Sequence, residues 1–233
     1  MSSTRIVTPT PPEVIYPESD GVPVGETTTH LRAIFALVAA FDQLTRGRDL
    51  FVACDLFLYY EEGNPRAVKA PDIMVVRGIA SGSERQTFKT WVEGRVPCVV
   101  VEVTSPKTRQ ADFGPKRDVY TRLGIAEYFL FDPLEEYLSP PLQGYRLDGG
   151  RYVPIVPDAD GSLLSVELGA RLIPEYREVR VQTLADEAPI PTLFELADGY
   201  REEQRRADGE RQRADALAVE VERLRAILGQ SNG

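Results

Sequence analysis

The sequence predicts an α/β fold built on a mixed sheet, extended by antiparallel strands and followed by a C-terminal helix of coiled-coil type. Three observations lead there. The run PCVVVEVTSP at 97–106 is almost continuously apolar and β-branched, the pattern of a strand buried on both faces. A helical pattern and a second apolar run, AEYFLFDP at 126–133, come next, and such a strand–helix–strand unit joins parallel neighbours by a crossover. Beyond Pro133 the pattern changes to hairpin signals and then to charged heptads.

The elements follow in order. Residues 1–14 are rich in Pro, Ser and Thr and read as a loose arm, and 15–25 are turn-rich. From Glu26 to about Thr45, Leu31, Ile34, Phe35, Val38 and Phe41 recur at spacings of three and four, which predicts a helix. LFVACDLFLYY at 50–60 reads as one strand with the turn EEGNP after it. Pro71-Asp72 opens a short strand, DIMVV, and a polar stretch with Trp91 leads to the buried run. The next helix spans about Asp112 to Leu123 and is closed by Gly124. The order is helix, three strands, helix, strand. A hairpin is expected around Asp148-Gly149-Gly150, with further short strands over 162–184.

Pro189 and Pro191 mark a boundary, so the division is an arm at 1–14, a main domain at 15–190 and a helix at 191–233. In that helix Leu193, Leu196, Tyr200, Glu203, Ala207, Glu210, Ala214, Leu217, Val221, Leu224 and Leu228 alternate by three and four, a heptad seam. One reading is an amphipathic helix packed on its own domain. The other is a coiled coil that makes a homodimer or higher homo-oligomer, favoured because the seam is a narrow stripe.

Composition excludes several classes. Of 233 residues, 42% are hydrophobic and 27% charged, an ordinary globular balance. One histidine, His30, and two cysteines, Cys54 and Cys98, leave no Cys/His zinc site and no HExxH metalloprotease. A Ser/His/Asp triad would have to use His30, with no serine in an elbow context. Both cysteines sit in apolar runs and are expected to be buried, reduced thiols of a cytosolic protein. The N-terminus has no apolar signal core and no stretch is long enough to span a membrane, so a cytoplasmic location without membrane contact is expected. The net charge of −9 argues against general nucleic-acid binding.

Three side chains could carry chemistry. Glu102 lies among valines near the C-terminal end of its strand, where open α/β sheets place their sites. Alternation sets Val100, Glu102 and Thr104 on one face and Val99, Val101 and Val103 on the other. A carboxylate there needs a cation, a metal or a proton. A structural ion pair satisfies the same need. Asp72 begins the strand DIMVV and is either a ligand or a turn residue capping nearby backbone. Lys116 shares a helix face with Val119, Tyr120 and Leu123, so its ammonium can reach Glu102; the alternatives are a structural bridge or a lysine that snorkels out. Asp112 reads as the helix N-cap. Two carboxylates and a lysine at one strand end suit a Mg²⁺ or Mn²⁺ site that acts on an anionic substrate.

YPESDGVPVGE, CDLFLYYEEGNPRAVKAPDIMVV, VPCVVVEVTSPKTRQADFGPKRDVYTRLGIAEYFLFDP and LQGYRLDGGRYVPI resemble the Uma family (Uma-two) of bacterial restriction-endonuclease-like proteins. The similarity covers about residues 14–175, and the family is part of the PD-(D/E)XK nuclease superfamily. The resemblance implies a restriction-endonuclease-like core. It implies Asp72 and Glu102 as metal ligands, together with the backbone carbonyl of Val103. The motif lysine would stand at 104, where this chain has Thr104; Lys116 matches a lysine that the family carries in the following helix. Glu26 matches an acidic position that sometimes joins such sites. Lys107, Arg109 and Arg117 belong to a locally basic stretch that either faces nucleic-acid phosphates or is a solvated surface. The implied activity is Mg²⁺- or Mn²⁺-dependent endonucleolytic hydrolysis of DNA, of branched DNA or of another nucleic acid, with Asp72, Glu102 and Lys116 catalytic. The alternative is a nuclease-fold protein without activity that works through its C-terminal helix in interaction or regulation.

Overall fold

The computed structural model describes residues 14–18, 27–79, 84–185 and 187–230, and the side chains only as far as 225 in the last segment. The chain forms two compact units that meet in sequence at Ile190 and Pro191. The first is a mixed α/β domain, as the periodicity predicts.

Its centre is a six-stranded sheet in the order β1 (Leu50–Cys54), β4 (Ile73–Arg77), β6 (Val99–Val103), β7 (Glu127–Phe131), β8 (Leu142–Asp148) and β9 (Arg151–Pro154). Only β6 and β7 are parallel within it, with Val99 opposite Glu127 and Glu102 opposite Leu130. The helical connection between them is the predicted crossover. The β8–β9 hairpin turns on Gly149 and Gly150, whose φ values of 55° and 79° suit glycine.

Every residue of β6 and of β7 is buried, so both sheet faces are covered. On one face Val99, Val101, Val103, Phe129 and Phe131 pack under helix α1 (Thr28–Thr45) and against a three-stranded antiparallel sheet. That sheet comprises β10 (Leu163–Ser165), β11 (Ala170–Glu175) and β12 (Glu178–Thr183). On the other face Met74, Val76, Val100, Tyr128 and Leu130 pack with Val119 and Tyr120 of α4 (Arg117–Leu123). Alternation therefore sorts the β6 side chains as the sequence indicates. Helix α1 starts one residue after Thr27, whose hydroxyl accepts the His30 N–H at 3.2 Å.

Three local expectations change. The run at 50–60 is two strands in different sheets, because Asp55 turns the chain with φ 48°. The second of them, β2 (Phe57–Tyr59), pairs with β3 (Val68–Lys69) and runs parallel to β5 (Thr87–Lys89), after which comes the short helix α2 (Thr90–Glu93). Cys54 is exposed rather than buried, since it ends β1, the edge strand of the main sheet; Cys98 is half-buried.

The third change concerns the crossover helix, which begins earlier than Asp112. Ser105 and Thr108 cap its start reciprocally: the Thr108 N–H donates to Ser105 Oγ at 3.3 Å and the Ser105 N–H to Thr108 Oγ1 at 3.1 Å. The helix then runs as α3 (Arg109–Ala111), a π turn (Asp112–Lys116) and α4, closed by Gly124 at φ 76°. Pro115 lies inside the π turn and has no N–H to give to an α-helical ladder.

The second unit is α5 (Leu193–Gln230), 38 residues long. Leu193, Leu196, Tyr200, Leu217, Val221 and Leu224 of its seam are exposed. The Leu228 side chain lies outside the described residues. Among the described residues no helix is long and apolar enough to cross a membrane.

Candidate active site

At the C-terminal end of β6 the chain gathers side chains from four stretches of sequence. Glu102 is fully buried on the α4 face of the sheet. Its Oε2 accepts from Lys116 Nζ at 2.7 Å and from the backbone N–H of Asp72 at 3.3 Å. Its Oε1 accepts from the Tyr120 hydroxyl at 2.7 Å. Asp72 sits directly before β4, and its Oδ2 accepts the Val103 N–H at 2.7 Å. Asp72 and the 102–103 segment are thus tied to each other reciprocally. Because β4 and β6 are hydrogen-bonded neighbours, residues 30 apart meet here.

The π turn supplies the rest. Lys116 Nζ lies 2.9 Å from Asp112 Oδ1, so one ammonium stands between two buried carboxylates. Asp112 is not the helix N-cap. It has helical φ and ψ inside the run, is fully buried, and its side-chain oxygens accept no hydrogen bond of good geometry. The capping role falls to Ser105 and Thr108 instead. The Asp112 carbonyl accepts the Tyr128 hydroxyl at 2.9 Å, and the Tyr120 and Tyr128 rings meet edge to face at 5.3 Å. The site reaches solvent through two of its side chains. The Asp72 side chain is 20% exposed and that of Lys116 13%, while those of Glu102 and Asp112 are sealed.

Electrostatics follow from this packing. Burial pushes the Glu102 carboxyl up to about 8; Lys116 pulls it down, and the charges of Asp72 and Asp112 add to the rise. Burial alone would lower the Lys116 ammonium, but Glu102, Asp112 and Asp72 outweigh it and hold Lys116 above its ordinary range. Tyr120 and Tyr128 are raised well above theirs, first by burial and then by the Glu102 charge, so both stay neutral donors. Among the described residues the pocket therefore sets three acidic side chains, one of them pushed toward its protonated form, against one ammonium. That imbalance and the oxygen-rich donor set fit a hard divalent cation. Among the described residues no three His, Cys, Asp or Glu side chains already surround one metal-sized point. A cation here would rest on Asp72, Glu102, backbone oxygen and water.

The other sequence candidates fall in different places. Thr104 is buried and its hydroxyl donates to the Phe131 carbonyl at 3.3 Å, so position 104 gives no amine to the pocket. Glu26 lies outside the described residues. Lys107 and Arg109 are exposed beyond the end of β6. The guanidinium of Arg109 lies 4.8 Å from the Tyr137 ring and that of Arg117 4.4 Å from the Tyr145 ring. Three site members went unselected in the sequence: Asp112, Tyr120 and His30, whose Nε2 lies 3.9 Å from Asp72 Oδ2. The signal for the first two is their spacing, since Asp112, Lys116 and Tyr120 recur every fourth residue on one stripe.

The family model described as "Uma2: Putative restriction endonuclease" matches residues 9–173. Among solved structures, the chain is similar to one from Anabaena variabilis ATCC 29413, described as "a putative nuclease belonging to DUF820". The identity is 16% and the TM-score 0.48, over 63% of this chain and 76% of that one. No curated protein matches the chain.

Proposed function

The chain belongs to the Uma2 family of restriction-endonuclease-like proteins, and from that we propose that it is a Mg²⁺- or Mn²⁺-dependent endonuclease that hydrolyses phosphodiester bonds in DNA. The observation that carries the reading is the pocket itself: Lys116 held 2.7 Å from a sealed Glu102, beside Asp72 at the open side, with carboxylates in excess. Asp72, Glu102 and the Val103 carbonyl would hold the cation. When bound, a divalent ion supplies Lewis-acid stabilisation of the phosphoryl oxygens and a more acidic water.

The chain's own residues do the remainder. Asp112 and Glu102 keep Lys116 protonated and fixed, so its ammonium can orient the attacking water and offset charge on the five-coordinate phosphorus. Tyr120 donates to Glu102 Oε1 and leaves Oε2 as the oxygen on the Asp72 side. Lys107, Arg109 and Arg117 would face backbone phosphates, the last two with their guanidinium planes steadied on tyrosine rings. The exposed seam of α5 would pair with a second copy of the chain, which would give two sites for two strands.

The test is incubation of the purified protein with supercoiled, linear and branched DNA in Mg²⁺ or Mn²⁺. Cleavage by the parent that is lost in Glu102→Gln and Lys116→Met, at undiminished Tm for the former, supports the enzyme. No cleavage by the parent under any of these conditions points to the alternative, a nuclease fold kept for interaction through α5. Removal of residues 192–233 should leave a monomer; an unchanged solution mass refutes pairing through the helix.

A further inference from the structure

We infer that α5 pairs with the α5 of a second copy in antiparallel orientation, in the register that sets Leu196 opposite Val221 of that copy. This rests on the pairing proposed above and gives its direction. The bulky members of the seam stand toward its ends: Leu193, Leu196 and Tyr200 in the first half, Leu217, Val221 and Leu224 in the second, all of them exposed. Between them lie Glu203, Ala207, Glu210 and Ala214, so the glutamates take heptad d positions and the alanines a positions.

The two directions treat that middle differently. Parallel chains set each seam residue against itself, so Glu203 meets Glu203 and Glu210 meets Glu210, which like charge disfavours. Antiparallel chains pair a positions with d positions. In the stated register Leu193 meets Leu224 and Tyr200 meets Leu217, while Glu203 and Glu210 meet Ala214 and Ala207. Every bulky side chain then has a bulky partner, and each glutamate faces a side chain small enough to leave its carboxylate a way to the rim. A shift of one heptad instead sets Glu203 against Val221 or Glu210 against Tyr200. Flanking charge agrees. Arg206 and Arg213 directly precede the two alanines, at g positions. In the antiparallel register Arg206 of one chain lines the hole that Glu210 of the other enters, and Arg213 lines that for Glu203. Among the described residues these four charged side chains make no ion pair within their own chain, whereas Arg201, Arg223 and Arg225 pair with Asp198, Glu220 and Glu222.

The experiment measures the solution mass of the full chain, then nitroxide–nitroxide distances by pulsed electron paramagnetic resonance after Cys54 and Cys98 are replaced by serine. Single labels sit on Asp198→Cys, Gln212→Cys or Val219→Cys, exposed positions away from the seam. At 1.5 Å per residue, the two labels of a dimer are offset along the axis by about 31 Å at 198 and at 219, and by about 10 Å at 212. The expected result is a mass of two chains, equal long distances at 198 and 219, and a shorter one at 212. One distance at all three sites means parallel chains and overturns the inference while the pairing stands; unequal distances at 198 and 219 overturn the register. A mass of one chain overturns both the direction and the pairing, and a mass above two chains overturns the antiparallel dimer. With the native cysteines kept, Arg206→Glu gives a second reading. It should weaken the antiparallel dimer about tenfold, because it sets a glutamate beside Glu210 of the other chain. In a parallel pair Arg206 would face Arg211, so unchanged or tighter association also overturns the inference.

Discussion

Glu102 and Glu127 are both buried glutamates on the two parallel strands at the centre of the sheet, yet they sit in opposite electrostatic situations. Glu127 begins β7 on the α1 face. Arg146 donates to its Oε1 at 3.1 and 2.9 Å, and the Val166 N–H does so at 3.0 Å. The Ser165 hydroxyl and the Glu167 N–H reach Oε2 at 2.5 and 3.4 Å. One cation, a hydroxyl and two backbone donors satisfy one carboxylate, and this cluster ties the main sheet to β10. Glu102, near the end of β6 on the other face, shares its single cation with Asp112 and has Asp72 beside it. Burial is common to the two; charge shortage belongs to one. A buried carboxylate is thus no sign of chemistry until its partners are counted.

Substitutions at the two positions should separate accordingly. The largest effect expected is on cleavage: Glu102→Gln should lower DNA hydrolysis about a thousandfold, the loss of several kcal/mol of metal-borne stabilisation. Without metal the same variant should melt higher than the parent, since it has no carboxyl that must keep a proton in the fold which the unfolded chain releases; a lower Tm breaks the contrast. Lys116→Met should cost about a hundredfold in rate, the scale of a lost group that positions or activates water, with Mn²⁺ still bound. Glu127→Ala should leave Mn²⁺ affinity unchanged while strong donors lose their acceptor. It should cost about 2–3 kcal/mol, or roughly 4–12 °C in Tm for a chain of this size.

The smallest effect is in pH dependence. Glu102 titrates from 4.5 in the unfolded chain and about 8 in the fold. Between those values the native state keeps a proton that the unfolded state releases, so this group costs stability as pH rises through the window. Melting in a chelator should show the Tm advantage of Glu102→Gln over the parent growing between pH 5 and 8, by about 2–4 °C for each kcal/mol. Glu127→Ala should show no such growth relative to the parent. Lys116, held above its ordinary range, titrates beyond this window.

Much of this was legible in the chain. The β-branched run around Glu102 and the three-and-four spacing after it disclose the central strand, the crossover and the inward face of Lys116, because burial on two faces leaves a strong pattern. What escaped has physical reasons. Asp55 turns the chain inside an apolar run with neither Gly nor Pro to mark it, so β1 and β2 read as one strand. β3 and β5 are two and three residues long, too short to show alternation. Asp112 looked like a cap because aspartate before an apolar stripe usually is one. The helix instead starts earlier and passes through a π turn at Pro115, which turns Asp112 inward. Tyr120 looked like packing because its ring does pack; only its hydroxyl reaches Glu102. His30 is a single residue 42 positions before Asp72, a distance at which spacing carries no signal.

Mn²⁺ binding to the parent, Glu102→Gln and Glu127→Ala, each confirmed folded, bears most directly on the assignment of the β6 pocket. A single Mn²⁺ bound by the parent and by Glu127→Ala, and lost from Glu102→Gln, is the predicted result. Equal binding by all three proteins, or none by the parent, would contradict it and leave Glu102 and Lys116 a structural ion pair.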